Sequence, residues 1–289
     1  MTEKTARPVF RFAPSPNGEL HLGHAFSALT TARAAEEAGG RFLLRIEDID
    51  RARTRETYIE AIFEDLAWLG LTWEEPVRRQ RRHFADYRAA LARLDGLGLT
   101  YPCFASRGEI AAACAPDAAR DPDGTPLYPG LWRGMAREPI AERQKTGAPF
   151  ALRLDIAKAL TLIMRRGEQL SFTELWHQPT GKIAADPARW GDLVIARTDV
   201  PPSFHLAVTV DDAIQGVTHV TRGADLYQAT HIHRLLQALL DLPVPLYGHH
   251  RLILDEEGRK LSKSARDTSL RTLREDGMSA AEIRRRLGF

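Results

Sequence analysis

The residues best suited to chemistry lie near the N-terminus, in the stretch "RFAPSPNGELHLGH" at positions 11 to 24. His21 and His24 stand three residues apart with Gly23 between them, directly after a turn rich in proline and glycine. Imidazole N–H groups, and backbone N–H groups at the start of a helix, are suitable donors for phosphate. Gly23 would let a flat base lie against the backbone, because it has no side chain. The stretch predicts a nucleotide site; the alternative is that the histidines only cap and line a helix.

A second candidate is "RKLSKSARDTS" near the C-terminus, in which Lys260 and Lys263 flank a serine. Taken alone, such a lysine-rich loop is usually solvated surface. Neither G-x-x-x-x-G-K-[ST] nor G-x-G-x-x-G occurs in the chain, so a P-loop or an ordinary dinucleotide fingerprint does not explain the site.

Alternating strands and helices must position these residues. "PVFRFAP" and "RFLLRIEDID" are typical of strands, and each precedes a helical stretch, "HAFSALTTARAAEEAGG" and "TRETYIEAIFEDLAWLG". The first helix should end at its glycines, and Thr54 is the predicted N-cap of the second. Apolar strands alternating with helices predict a parallel α/β sheet.

The pattern stops and then resumes later in the chain. We expect further strands in "GDLVIAR", "FHLAVTVDD", "GVTHVTRG" and "RLILD", and a helix in "ADLYQATHIHRLLQALLD". The predicted organisation is residues 8–103 and 191–245 as the two halves of one core, 104–190 as an insertion, and 246–289 as the lysine loop with one or two short helices.

Composition limits the class of protein. The chain has 289 residues, 44% of them hydrophobic, a net charge of +2 and two cysteines. These values predict a globular cytoplasmic protein with no disulfide framework, no signal peptide, no membrane span and no general polyanion-binding surface. The basic clusters at 78–82 and 284–286 are more typical of solvated surface, and the histidines of "THIHR" and "GHH" of packing or surface than of metal ligands.

Together, "HLGH" and "KLSKS" resemble the two signatures of the class I aminoacyl-tRNA synthetases. "RFAPSPNGELHLGH", "RIEDID" and "DDAIQGVTHVTRGADL" resemble the glutamyl branch of that family. The resemblance extends from Arg11 to about Ser264 and is weakest between 104 and 190. It implies an α/β fold: a Rossmann-type parallel sheet with an inserted α+β subdomain and a short helical C-terminal tail.

The resemblance implies an activity that uses ATP as substrate together with Mg²⁺. The α-carboxylate of glutamate attacks the α-phosphorus, pyrophosphate leaves, and a hydroxyl then takes the glutamyl group from the adenylate. Catalysis is then mainly placement and charge neutralisation. His21 and His24 would act at the α-phosphate and Lys263 at the departing pyrophosphate, with Gly23 and Lys260 completing the ATP site.

Glutamate carries two carboxylates and one ammonium group. Arg11 and Arg222 offer planar forks for the carboxylates, and Glu47 offers an anion for the ammonium. The family pattern adds Phe204 and the turn of Phe12, Ala13, Pro14 and Ser15. The sequence does not decide which arginine takes which carboxylate, and the alternative is that Arg11 and Glu47 merely form an ion pair between adjacent strands.

Two positions depart from the family pattern. Phe204 stands where relatives have a tyrosine, a loss worth on the order of 1 kcal/mol unless His205 or a water replaces the hydrogen bond. Relatives hold zinc with C-x-C and Y-x-x-x-C, but here only Cys103 and Tyr128 remain, with Ala105 and Trp132 at the other positions. We therefore expect no zinc, and we expect Cys103 and Cys114 to be buried thiols.

Only 25 residues follow Ser264, which predicts that no anticodon-binding domain is present. This favours the truncated paralogue of the glutamyl branch, which makes the adenylate without tRNA and places L-glutamate on queuosine in the anticodon stem-loop of tRNA(Asp). The alternatives are an atypical glutamyl-tRNA synthetase acting at a tRNA 3′ end, and an inactive paralogue that binds tRNA or a nucleotide.

Overall fold

The computed structural model describes residues 6–198, 202–254 and 268–289. Lys260 and Lys263 of the predicted lysine loop lie outside the described residues. In the described part, the strands are β1 (Val9–Phe12), β2 (Arg41–Ile46), β3 (Glu74–Arg79), β4 (Thr100–Cys103), β5 (Ala151–Leu154), β6 (Ser171–Glu174), β7 (Gly181–Ala184), β8 (Val194–Arg197), β9 (His219–Gly223) and β10 (Leu246–His250).

The α-helices of the described residues connect or flank these strands. They are α1 (Leu22–Glu37), α2 (Glu56–Trp68), α3 (Phe84–Gly96), α4 (Arg107–Ala113), α5 (Arg137–Lys145), α6 (Ile156–Arg165), α7 (Phe204–Ile214), α8 (Ala229–Leu239), α9 (Leu270–Glu275) and α10 (Ala280–Leu287). Short 3₁₀ helices occur at Gln80–Arg82, Pro187–Trp190 and Ala224–Leu226.

Among the described residues, the main sheet has seven strands in the order β3-β2-β1-β9-β10-β6-β7. All neighbouring pairs are parallel except β6 and β7, which are antiparallel. The chain builds outward from β1 through β2 to β3, and later resumes on the other side of β1 with β9 and β10. The strand order therefore reverses between β1 and β9, the place where open α/β sheets bind ligands. The predicted fold class is confirmed.

A second, three-stranded sheet has the order β4-β5-β8 and is antiparallel. The sheets do not divide where the sequence placed its boundaries at 104 and 191. β6 and β7 belong to the main sheet although they lie within 104–190, whereas β4 and β8 join β5 from outside that range. Position along the chain does not decide which sheet a strand joins. The pattern of strands and helices in the sequence therefore could not show that β6 and β7 join the main sheet while β4 and β8 pair with β5.

The prediction of a strand over "FHLAVTVDD" is wrong, because residues 204–214 form helix α7. Ser203 caps this helix by accepting a hydrogen bond from the backbone N–H of Leu206 at 3.3 Å. Every residue from Leu206 to Asp212 is buried, as α7 packs between α3 and α8. A helix buried on all sides loses its polar face, and its β-branched run then resembles a strand.

Two smaller predictions also differ from the structure. The strand expected in "RLILD" is placed earlier, since β10 ends at His250 and residues 251–253 have no regular structure. Thr54 is not the N-cap of α2; Arg55 holds that position without a side-chain hydrogen bond, and the N–H of Thr54 donates to the carbonyl of Asp50 at 3.0 Å. The helix therefore begins one residue later than the capping rule indicated.

The C-terminal segment forms two short helices, α9 and α10, as the sequence predicted. Leu270, Ile283 and Leu287 are buried in the same apolar cluster as residues of α1 and α2. Each such side chain contributes roughly 1.5–3 kcal/mol on burial, so the segment is part of the core. Among the helices of the described residues, none is long and apolar enough to cross a membrane.

Candidate active site

A cavity of about 780 Å³ lies at the carboxyl ends of β1, β2, β9 and β10, where the strand order reverses. Every site residue predicted from the sequence that falls in the described part lines it: Arg11, Phe12, Ala13, Pro14, Ser15, His21, Gly23, His24, Glu47, Phe204 and Arg222. The two predicted lysines lie outside the described residues. The structure thus brings the nucleotide-type and the glutamate-type residues into one space.

His21 and His24 sit at the start of α1 and cap it reciprocally. His21 is the N-cap and accepts from the backbone N–H of Gly23 at its Nδ1 (3.1 Å), while Nδ1 of His24 accepts from the N–H of His21 (3.2 Å). The capping role considered as the alternative is therefore present. It does not compete with donation to an anion, because a neutral ring that accepts at Nδ1 carries its proton on Nε2.

Gly23 is required by the packing of this capping pair. A Cβ atom at position 23 would lie 2.9 Å from Cε1 and 3.0 Å from Nδ1 of His21. The ring centroids of His21 and His24 are only 3.9 Å apart. The glycine thus allows His21 to fold back over the first turn of the helix, a reason additional to the close approach of a base.

Behind the cavity, Arg11 and Glu47 belong to a buried ionic network. Nε of Arg11 donates to Asp212 at 2.9 Å, and Asp212 also accepts from Nη1 of Arg45 at 2.7 Å. Nη2 of Arg45 in turn donates to Glu47 at 3.1 Å. The ion pair between Arg11 and Glu47 that was considered as an alternative does not form, since each has a different partner.

Burial raises the pKa of Glu47, although the positive charges of Arg45 and Arg11 partly offset it. For Arg45, burial alone would lower the pKa, but Asp212, Glu47 and Asp211 outweigh it and keep the guanidinium charged. The network therefore presents a partly compensated carboxylate and a paired arginine to the cavity.

Arg222 enters the cavity from β9 and is held by neutral groups. Its Nε donates to Nε2 of His249 (3.1 Å), its Nη1 to Nδ1 of His233 (3.1 Å), and its Nη2 to the hydroxyl of Thr230 (2.7 Å). Arg222 and His249 are direct neighbours across β9 and β10. Burial lowers the pKa of Arg222 to about 10, so it is charged at neutral pH.

Phe204 begins α7 and lines both this cavity and a second one of about 300 Å³. The second cavity also shares Ser15, Asn17, Glu47 and Arg53 with the first, so the two adjoin. His205, the suggested replacement for the missing tyrosine hydroxyl, does not line the first cavity; its Nδ1 lies 3.2 Å from Nε2 of His233. The structure gives it a different contact.

The four positions that correspond to the zinc ligands of relatives come together in an apolar cluster. Cys103 and Tyr128 are buried in it, and Ala105 and Trp132 pack against it. Sγ of Cys103 lies 3.3 Å from the hydroxyl of Tyr128. Cys114 is only partly buried, which corrects the expectation for that residue. Across the described ranges, no group of three or more His, Cys, Asp and Glu could hold a metal ion.

The remaining sequence candidates have structural contacts. In the 78–82 cluster, Arg78 pairs with Asp211 and Arg79 with Glu56, while Arg81 and Arg82 are exposed. The histidines of "THIHR" and "GHH" are packing residues, as one of the two interpretations held: His231, His233, His249 and His250 are all buried.

Sequence reasoning missed the residues that hold the predicted ones in place. Asp212, Arg45 and Glu174 are buried charged residues to which the sequence assigned no role, and Thr230 lies in a stretch for which only a helix was predicted. Arg45 stands within "RIEDID" and Asp212 within "DDAIQG", both of which were quoted for the family resemblance. The two stretches could have pointed to Arg45 and Asp212, but these residues pair with each other across 167 positions of the chain, which local patterns do not reveal.

The parallel sheet, the cavity at its reversal point and the "HLGH" helix start together define a class I aminoacyl-tRNA synthetase catalytic domain. Residues 9–288 match the family model described as tRNA synthetases class I (E and Q), catalytic domain, and the chain belongs to this family.

Individual relatives are more specific. The chain is 47% identical over 286 residues to the glutamyl-Q tRNA(Asp) synthetase of Rhodobacter capsulatus, covering 97% of this chain and 100% of that protein. It is 39% identical to the protein of the same name from Symbiobacterium thermophilum, covering 94% and 83%. The glutamate-tRNA synthetase structure from Elizabethkingia anophelis matches with a TM-score of 0.72 and 26% identity, covering 94% of this chain and 54% of that one. The chain thus spans about half the length of that synthetase.

Proposed function

We propose that this protein activates L-glutamate with ATP and transfers the glutamyl group to the queuosine base of tRNA(Asp). The observation that carries the proposal is that nucleotide-type and glutamate-type residues line the same cavity of about 780 Å³. The names of the relatives from Rhodobacter capsulatus and Symbiobacterium thermophilum support the choice of acceptor. Location in the cytoplasm stays a prediction from the sequence.

In the first step, an oxygen of the α-carboxylate attacks the α-phosphorus of ATP, and the bond from that phosphorus to the bridging oxygen of pyrophosphate breaks. His21 and His24 donate to the α-phosphate, and Lys263 donates to the departing pyrophosphate. Mg²⁺ bound together with ATP would neutralise further charge on the phosphates. Gly23 and Lys260 complete the nucleotide site. The arrangement of the described histidines at the positive end of α1 supports these roles.

Arg11 and Arg222 take the two carboxylates of glutamate, and Glu47 takes the ammonium group. The turn of residues 12–15 and the ring of Phe204 close the pocket. In the second step, a hydroxyl of the cyclopentene-diol of queuosine attacks the carbonyl carbon of the adenylate and gives up its proton to the leaving phosphate. AMP leaves as the bond from that carbon to the phosphate oxygen breaks.

The experiment that tests the proposal has two arms. Purified protein should catalyse glutamate-dependent exchange of pyrophosphate into ATP without tRNA. It should then attach labelled glutamate to queuosine-containing tRNA(Asp), including tRNA whose terminal adenosine has been removed. The matched control is the same tRNA(Asp) made without queuosine, which should remain unlabelled.

The alternatives give different outcomes. Labelling of the queuosine-free transcript, or loss of labelling after trimming of the terminal adenosine, would indicate a glutamyl-tRNA synthetase that acts at the 3′ end. No exchange at millimolar glutamate would indicate the inactive paralogue, for which Phe204 in place of a tyrosine is the favouring observation.

A further inference from the structure

The surroundings of Arg222 differ from those of Arg11, although both line the cavity. Arg11 already forms an ion pair with Asp212 at 2.9 Å. Arg222 is buried, yet within residues 6–198, 202–254 and 268–289 no carboxylate forms an ion pair with it. Its hydrogen-bond acceptors are Thr230, His233 and His249, which we call the neutral partners of Arg222.

The two histidines among the neutral partners are kept neutral mainly by burial, although the hydrogen bond to Glu174 acts in the opposite direction on the pKa of His249. Burial lowers the pKa of His249 to about 4, and burial together with the charge of Arg222 lowers the pKa of His233 well below its ordinary value. Nδ1–H of His249 donates to Glu174 at 2.6 Å, which leaves Nε2 as an acceptor for Arg222. His233 accepts at Nδ1 and therefore donates from Nε2 to His205, 3.2 Å away.

Glu174 is the nearest carboxylate in this chain of contacts, and its charge is already taken up. It accepts from Nδ1 of His249 and from the backbone N–H groups of Trp176, His177 and His249. Although burial raises its pKa, these hydrogen bonds lower it to about 2. Glu174 thus fixes the tautomer of His249, and the imidazole ring of His249 separates this carboxylate from the guanidinium of Arg222.

Leaving a buried cation without a carboxylate costs free energy, since desolvation of a charge is offset mainly by an ion pair. A substrate carboxylate entering the cavity would supply that missing charge. We infer that the neutral partners are positioning residues that orient the Arg222 fork while leaving its charge for a carboxylate of the substrate. This rests on the proposed function, because it assumes that glutamate occupies the cavity.

The inference predicts that two variants that differ only in charge bind L-glutamate with different affinity. Thr230→Asp places a carboxylate against Nη2 of Arg222. Thr230→Asn introduces a side chain of the same size as Asp that keeps an acceptor oxygen but carries no charge. L-glutamate should bind the Asp variant at least tenfold more weakly than the Asn variant, while both bind ATP within twofold of the unaltered protein. Isothermal titration of each compound separately measures these constants.

His233→Asp and His233→Asn form a second matched pair, because an amide or carboxylate oxygen can replace Nδ1 of the imidazole. Thermal unfolding of all four variants establishes that each pair is folded. Equal glutamate affinity of the Asp and Asn members in both pairs would overturn the inference and leave the proposed function standing. If the unaltered protein bound no L-glutamate, both would be overturned.

Discussion

Among single residues, Arg45 does most to position the groups proposed to bind glutamate. It is fully buried on β2 and bridges Asp212 and Glu47, and so connects to Arg11 through the shared Asp212. No atom of Arg45 lines the cavity, so its contribution is to fix the two side chains that do. Loss of Arg45 would remove the ion-pair partner of the buried Glu47 and, among the residues described, would leave Asp212 with Arg11 alone.

We therefore predict that Arg45→Gln lowers the free energy of unfolding by about 3–5 kcal/mol, the usual cost of breaking a buried ion pair from one side. The control is Arg41→Gln on the same strand, whose ion pair with Glu74 is about two-fifths exposed on each side. An exposed pair contributes at most about 1 kcal/mol. Urea unfolding measures both, and equal losses would contradict the assigned role of Arg45.

At the scale of elements, the start of α1 combines a helix cap with the part of the cavity proposed to bind the nucleotide. The first turn of α4 has the same construction, with Ser106 and Glu109 as its capping pair and Gly108 as its second residue. The two turns differ in what a side chain at the glycine would meet. At Gly108, the nearest atom to an added Cβ is Oγ of Ser106 at 3.9 Å, an ordinary contact.

Gly23→Ala should reduce pyrophosphate exchange about tenfold or more, because the new Cβ displaces the ring of His21, and small misplacements of positioning groups are costly. Gly108→Ala is the matched control and should leave exchange unchanged. Alanine favours a helix over glycine by roughly 1 kcal/mol, so neither variant should unfold at a lower temperature for reasons of propensity. Unchanged exchange in Gly23→Ala would remove the packing argument for this glycine.

At the scale of the whole molecule, the histidines make stability depend on pH. Burial lowers the pKa of six of them: His205, His219, His231, His233, His249 and His250. For His205 and His249 the value falls from 6.5 to about 4. The unfolded chain therefore takes up protons at a higher pH than the folded chain does.

The sign follows from this difference in proton uptake. The free energy of unfolding should be constant above about pH 7 and fall as the pH drops from 6.5 towards 4, by up to about 1.4 kcal/mol per pH unit for each of His205 and His249. The other four of these histidines act in the same direction. Glu174, with its pKa lowered to about 2, adds a further loss below pH 4.5. Urea unfolding at a series of pH values measures the slope, which His249→Gln should reduce. A flat profile between pH 7 and 5 would contradict the assignment.

The sequence by itself determined the site's contiguous parts. The turn through Ser15, a helix beginning within the "HLGH" stretch and strands β1 and β2 were predicted correctly, because turn residues, caps and apolar periodicity act over a few neighbouring positions. The family signatures added Glu47, Phe204 and Arg222, and all three line the cavity. At these positions, the residues that form a recognisable sequence motif are also the residues that line the cavity.

Only the tertiary structure decided how these parts are held. Asp212 is 201 residues from Arg11 and 167 from Arg45, and Glu174 is 75 residues from His249. Burial of α7 removed the periodicity that would have identified it as a helix, and strand pairing placed β6 in one sheet and β8 in the other. Ion pairs and strand pairing depend on which surfaces meet when the chain packs, and periodicity along the chain carries no record of that.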